Sequence, residues 1–159
     1  MKKVTKKMRS ILSTHLFSVG FGCGLSPYFP GTIGSLVAII FWLPMNYLAP
    51  LFYWLIIIIA IIFGVFICQK AAEELGSSDP GCIVWDEFIG MWITLFFIPH
   101  ITWLWILVAF LLFRFFDIAK PWPIRWLDQQ VSGGLGIMVD DIIAGFLAGV
   151  VLVMLNLFI

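Results

Sequence analysis

Apolar residues run through this chain in five long blocks separated by short polar or Gly/Pro-rich breaks. A helix that crosses a bilayer needs about 20 mostly apolar residues, within a range of roughly 17–25. The stretches 33–49, 51–68, 82–99, 101–119 and 137–159 meet that requirement. The second is the cleanest, since 56–62 is isoleucine broken only by Ala60. Pro44 lies inside the first and either kinks it or marks its last turns. The stretch 11–25 is apolar but broken by Gly20, Gly22 and Gly24, which predicts an interfacial or re-entrant segment rather than a crossing. The pattern as a whole predicts an all-α, polytopic membrane bundle of about five spans. It forms one integral-membrane domain over 1–159, with a tail at 1–10, an interfacial segment and Gly/Pro turn at 11–32, and the bundle at 33–159. A basic start before an apolar run imitates a signal peptide. His15, the glycines and the lack of a small-x-small site argue against cleavage.

Composition agrees with this picture. Of 159 residues, 62% are hydrophobic and 11% charged, against about 45–50% and about 25% in a soluble domain. Polar surface cannot cover such a chain, so the bilayer must be its solvent. Disorder and soluble nucleic-acid binding are excluded, and no nucleic-acid partner is expected. Cys23, Cys68 and Cys82 are too few and too irregular for a disulfide framework or a zinc site. Oligomeric state leaves no mark on the sequence.

The net charge of +0 conceals a sorting. Lys2, Lys3, Lys6, Lys7 and Arg9 crowd the N-terminus, and all the acids fall between Glu73 and Asp141. Basic residues mark the cytoplasmic side of a membrane protein. With the N-terminus there, every Lys and Arg falls on the inner side, and the outer connections carry none. The acids gather inside too: Glu73, Glu74, Asp79 and Asp128 in loops, and Asp86, Glu87, Asp117, Asp140 and Asp141 at span ends.

Acids at span ends need a reason. An Asp at a helix centre costs about 2.5–3.5 kcal/mol on insertion scales, so five would cost on the order of 10–15 kcal/mol uncompensated. Helical spacing shows where they point. Asp86, Gly90 and Thr94 share a face, as do Asp140, Ala144 and Ala148, and Asp141, Gly145 and Gly149. Small residues four apart let helices pack closely in lipid, so these acids face other helices. Glu87 lies about 100° around from Asp86, on the face of Met91. Arg114 and Asp117 share a face of the fourth span. Structural ion pairs would explain one such pair. Two adjacent acidic pairs with only Arg114, Lys120 and Arg125 nearby point to a divalent cation, and all-oxygen ligation favours Mg²⁺. Neither His15 nor His100 has a metal-ligand spacing.

Two further segments bear on anions. Ser26, Pro27, Pro30, Gly31, Thr32, Gly34 and Ser35 lead into the first span, where Thr32 or Ser35 can cap the helix. Free N–H groups at such a start suit phosphate, although an ordinary capped turn reads the same way. Lys120, Pro121, Trp122, Pro123, Arg125 and Trp126 form a stiff basic loop at the interface, suited to headgroups or to plain anchoring. Carboxylates for Mg²⁺ and cations for phosphate at one lipid surface fit metal-assisted phosphate chemistry on a phospholipid. The sequence lacks Cys-x5-Arg, a D-x-D-x-[TV] phosphoaspartate motif, a histidine beside an arginine motif, D-G-x2-A-R and a P-loop. Without a protein nucleophile, attack by water activated at the metal is the simplest route.

The blocks at 25–35 (LSPYFPGTIGS), 83–94 (IVWDEFIGMWIT), 113–126 (FRFFDIAKPWPIRW) and 133–146 (GGLGIMVDDIIAGF) resemble the phosphatidylglycerophosphatase A family, over about residues 15–150. The resemblance implies a bacterial inner-membrane, multi-pass enzyme with its N-terminus in the cytoplasm. It implies Mg²⁺-dependent hydrolysis of phosphatidylglycerophosphate to phosphatidylglycerol and phosphate at the cytoplasmic face. The expected metal ligands are Asp86, Glu87, Asp117, Asp140 and Asp141, with the base among them. The expected phosphate contacts are Ser26, Gly31, Thr32, Arg114, Lys120 and Arg125. The tryptophans and a cleft between spans would hold the acyl chains. The rival readings are a lipid-phosphate enzyme with another headgroup, a cation transporter, and a scaffold whose charges only set topology.

Overall fold

The computed structural model of the chain describes residues 15–78 and 80–158. The tail cations Lys2, Lys3, Lys6, Lys7 and Arg9, the start of the interfacial segment, Asp79 and Ile159 lie outside the described residues. The described residues form helices and no strands, as the hydrophobic pattern predicts. The elements are α1 (Pro30–Met45), α2 (Pro50–Leu75), α3 (Trp85–Phe96), α4 (Trp103–Ala119), α5 (Ile124–Gln130) and α6 (Gly133–Phe158), preceded by a 3-10 segment at Gly20–Leu25.

Local chemistry sets these boundaries. Pro30 and Pro50 open α1 and α2 at positions where a missing N–H costs nothing. Pro44 falls in the last turn of α1 and marks its end. Gly76, at φ 69°, closes α2, and the Ser77 N–H reaches back to the Ala72 carbonyl, which is a Schellman-type stop. The Thr102 hydroxyl accepts from the Trp105 N–H at 3.4 Å and caps α4. In the 15–25 segment, positive φ at Gly20, Phe21 and Gly22 breaks any continuous helix. The segment docks instead, with the Val84 N–H donating to the Ser18 carbonyl at 2.9 Å.

Among the described residues, α2 and α6, at 26 residues each, are the helices long and apolar enough to cross a membrane alone. For α2, 28% of its most apolar stretch is buried. It is therefore no core helix of a soluble protein, and Leu51, Phe52, Ile58, Ile59, Ile62 and Phe66 stand exposed along it. Such a surface requires an apolar solvent. The apolar stretch 82–99 holds a shorter helix than its composition predicts. The helix α3 has 12 residues, about 18 Å at 1.5 Å per residue, against a hydrocarbon core of about 30 Å. Pro80 and Gly81 with the Ser18 bond hold 82–84 out of the helix, and Pro99 follows its end. Every residue of α3 except Asp86, Glu87 and Phe96 is buried, because α1, α2, α4 and α6 all pack on it. Enclosed in this way, α3 is a core helix of the bundle, in contrast to the exposed α2. Polar ties cross the core: Tyr53 OH donates to the Trp92 carbonyl at 2.6 Å, and Trp92 Nε1–H to the Ala38 carbonyl at 2.9 Å.

Candidate active site

The starts of α1, α3 and α6 and the ends of α2 and α4 meet at one end of the bundle, where Gly31, Glu87, Arg114, Asp141 and Gln69 converge. Asp86 and Glu87 occupy the first turn of α3, where the helix dipole favours negative charge. Asp141 comes from α6 and is 2% exposed. Close helix approach brings it in. A Cβ on Gly90 would lie 2.7 Å from the Asp141 carbonyl oxygen, and one on Gly145 would lie 2.5 Å from the Gly90 carbonyl oxygen. Thr94 Oγ1 donates to the Gly90 carbonyl at 2.9 Å and stands 3.3 Å from that of Gly145.

One oxygen from each of Asp86, Glu87 and Asp141 lies within 4.8 Å of the others. Glu87 Oε2 is buried and accepts no hydrogen bond from any described residue. Clustered carboxylates with a buried, unsatisfied oxygen are costly. A hard divalent cation ligated by oxygen fits this trio. The nearest described cation is Arg114, with Nη1 4.0 Å from Glu87 Oε1.

The structure treats the other predicted ligands differently. Asp117 is bonded to Arg114 on its own helix, and its carboxyl also meets that of Asp141 at the edge of the trio. Asp140 accepts from Lys120 Nζ at 2.6 Å, and its Oδ1 takes the Asp141 N–H at 3.1 Å. Lys120 also donates to Asp128 at 3.0 Å. Burial alone would lower the Lys120 ammonium, but the bonds and charges of Asp140 and Asp128 outweigh it, and the net shift is upward. It remains protonated at neutral pH and is no base.

The predicted anion contacts also divide. Gly31 meets the site directly: a Cβ there would fall 2.2 Å from Glu87 Oε1 and 3.1 Å from Arg114 Nη1. Any side chain there would push the Glu87 carboxylate aside. Thr32 is half-buried in the same turn. No side chain caps α1, and the Ser35 hydroxyl bonds back to the Gly31 carbonyl at 2.8 Å instead. Ser26 shapes the preceding turn through the N–H and carbonyl of Tyr28. Arg125 is exposed on α5 and forms no ion pair with a described residue. His15 bonds to Glu74 at 3.0 Å.

Sequence reasoning missed the cleft beside the trio. About 230 Å³ in volume, it is lined by Ser78, Asp128, Gln129, Ser132, Asp86 and Asp140, among others. A signal was present: Arg125, Asp128 and Gln129 are spaced three and four apart, the mark of a short helix with a polar face.

Comparison with known proteins adds chemistry to this geometry. The profile of the family described as phosphatidylglycerophosphatase A matches residues 16–156. A protein of that name from Escherichia coli (strain K12) is 52% identical over 138 residues, covering 87% of this chain and 80% of that protein. One from Haemophilus influenzae is 44% identical over 147 residues, covering 92% and 90%. A Bacteroides thetaiotaomicron protein, provisionally named phosphatidylinositol-3-phosphatase, is 39% identical over 137 residues, covering 82% and 85%. No solved structure matches the chain with significance.

Proposed function

Because the chain belongs to the phosphatidylglycerophosphatase A family, and is therefore a phosphatase, we propose that it hydrolyses phosphatidylglycerophosphate to phosphatidylglycerol and phosphate, using Mg²⁺, at the cytoplasmic face of a bacterial inner membrane. The observation that carries the metal requirement is the trio Asp86, Glu87 and Asp141, with its unsatisfied Glu87 oxygen. These residues would hold the ion, and Mg²⁺ bound there would neutralise phosphate charge and polarise the phosphoryl group.

The protein supplies the rest. Arg114 offers guanidinium N–H groups to phosphate oxygens, in a geometry lysine cannot copy. Asp117 holds that guanidinium in place. The first turn of α1 at Gly31 and Thr32 adds the positive end of a helix dipole. Water attacks phosphorus in line with the ester oxygen. A carboxylate of the cluster takes the water's proton and, as the P–O bond to glycerol breaks, that proton is returned to the glycerol oxygen, which leaves as a hydroxyl. Lys120 holds Asp140 and Asp128 at the mouth of the cleft, through which water enters and phosphate departs. Arg125, exposed on the interfacial α5, meets headgroups.

Five crossings remain the proposed topology, with α1, α3 and α4 crossing as parts of the bundle rather than alone. The transporter reading finds little support. Beyond Thr94, Leu95, Ala148 and Leu152 fill the core and are at most 1% exposed, which leaves no polar path to the other end.

The test is phosphate release by the purified protein from phosphatidylglycerophosphate, phosphatidate and phosphatidylinositol 3-phosphate, each with Mg²⁺ or with chelator. Release should be fastest from the first and should stop with chelator. Equal release with chelator would remove the metal from the proposal, and faster release from another lipid would reassign the headgroup.

A further inference from the structure

A groove of about 340 Å³ runs between α1 and α4, lined by Leu36, Ile39 and Ile40 on one side and Trp103, Ile106, Leu107 and Phe110 on the other. The two helices touch only lightly along it. The lining is apolar throughout, and Leu36, Ile40, Trp103 and Leu107 are exposed. We propose that this groove seats one acyl chain of the lipid substrate and delivers the headgroup to Arg114. The proposal rests on the phospholipid phosphatase reading above and assigns the place where that substrate lies.

Three observations choose the occupant. The first is continuity with the site. On α4, positions 103, 107, 110, 114 and 117 follow one another at spacings of three and four, so the groove wall continues as one stripe into Arg114 and Asp117. On α1, positions 32, 36 and 40 do the same, so the lining, which stops at Leu36 and Phe110, is about one helical turn short of the end where Gly31 abuts Arg114 and Glu87. The second is charge. The groove is uncharged along its length, and charge gathers beyond one end only, where Arg114 lies beside the start of α1 together with Asp117 and Glu87. A phospholipid has the same layout, with an apolar chain and an anionic head. The third is length. From Trp103 to Arg114 the helix rises by about 16 Å, close to one leaflet of a hydrocarbon core about 30 Å thick. A second helix from another copy would need a long strip on both sides and would gain nothing from the charged end.

The groove also fits the division of the site. The polar cleft by α5 is lined by Asp86 and Asp140, whereas the groove's α4 wall leads, one turn on, to Arg114. Lipid enters from the bilayer, and water and phosphate pass on the opposite flank.

The experiment compares kcat/KM for long-chain phosphatidylglycerophosphate with that for a short-chain, water-soluble form, using the full-length protein in detergent. Leu36→Trp and Leu107→Trp narrow the groove from its two walls. Ile59→Trp places the same bulk on an exposed position of α2, outside the groove. Each groove variant should lower the long-to-short ratio about tenfold, and the α2 variant should leave the ratio at the wild-type value. A ratio within twofold of wild type in both groove variants would overturn the proposal. So would an equal fall in the α2 variant, or loss of both activities in both groove variants, which would assign these residues to folding. Wild-type protein that releases phosphate from neither lipid would overturn the phosphatase substrate reading itself, and the groove's role with it.

Discussion

Asp140 and Asp141 are neighbours in sequence and stand in different environments. Asp140 faces Lys120 at 2.6 Å, while Asp141 turns inward to Asp86 and Glu87. A ligand and a positioning residue should respond differently to loss of charge. Asp141→Asn should cut turnover about a hundredfold or more, without lowering the yield of monodisperse protein. Near-normal turnover of this variant under saturating Mg²⁺ would take Asp141 out of the site. Asp140→Asn should have a milder effect, because it releases Lys120 rather than a ligand. Gly31 provides a second test at this scale. Gly31→Ala pushes a methyl group onto Glu87 Oε1. It should lower kcat and raise the Mg²⁺ concentration needed for half-maximal rate, and an unchanged Mg²⁺ dependence would show that Glu87 is not a ligand.

At the scale of elements, the α3–α6 contact holds the trio together. A side chain at Gly145 would strike the α3 backbone at Gly90, and helix backbones do not yield locally. Gly145→Val should destabilise the detergent-solubilised protein by about 1–3 kcal/mol, read as a lower midpoint of thermal unfolding. Gly81→Ala meets nothing within 4 Å and should leave the midpoint where it is. This contact was legible in the sequence. The small residues follow Asp86 and Asp141 at intervals of four, and that spacing alone fixes the faces that meet. The length of α3 was not legible, since an apolar run shows where a helix can be and not where its hydrogen bonding begins. The Ser18 carbonyl that holds Val84 lies 66 positions away in the chain. Partner choice was hidden for the same reason. Nothing local tells Lys120 to select Asp140 and Asp128, or leaves Arg125 exposed on α5.

At the scale of the whole molecule, the charged side chains of the described residues gather at one end. The connections after α1 and after α3 carry no Lys, Arg, Asp or Glu. The opposite end gathers Glu87, Arg114, Lys120, Asp128, Asp140 and Asp141. A bilayer enforces such an arrangement, because each charge moved to the far end would have to cross the hydrocarbon core. In the spanning bundle proposed above, the 12-residue α3 does not cross alone. The irregular backbone just before α3, at Ile83 and Val84, is at most 3% exposed and lies against protein, the condition under which non-helical backbone is tolerated at membrane depth. In the topology proposed above, the positive-inside bias puts the charged end in the cytoplasm. A reporter active only outside the cytoplasm, fused after His100, should be active. The same reporter fused after Ser78 or Lys120 should be silent. Activity after Lys120 would invert the bundle, place the carboxylate trio on the outer face, and require the lipid phosphate to be presented there.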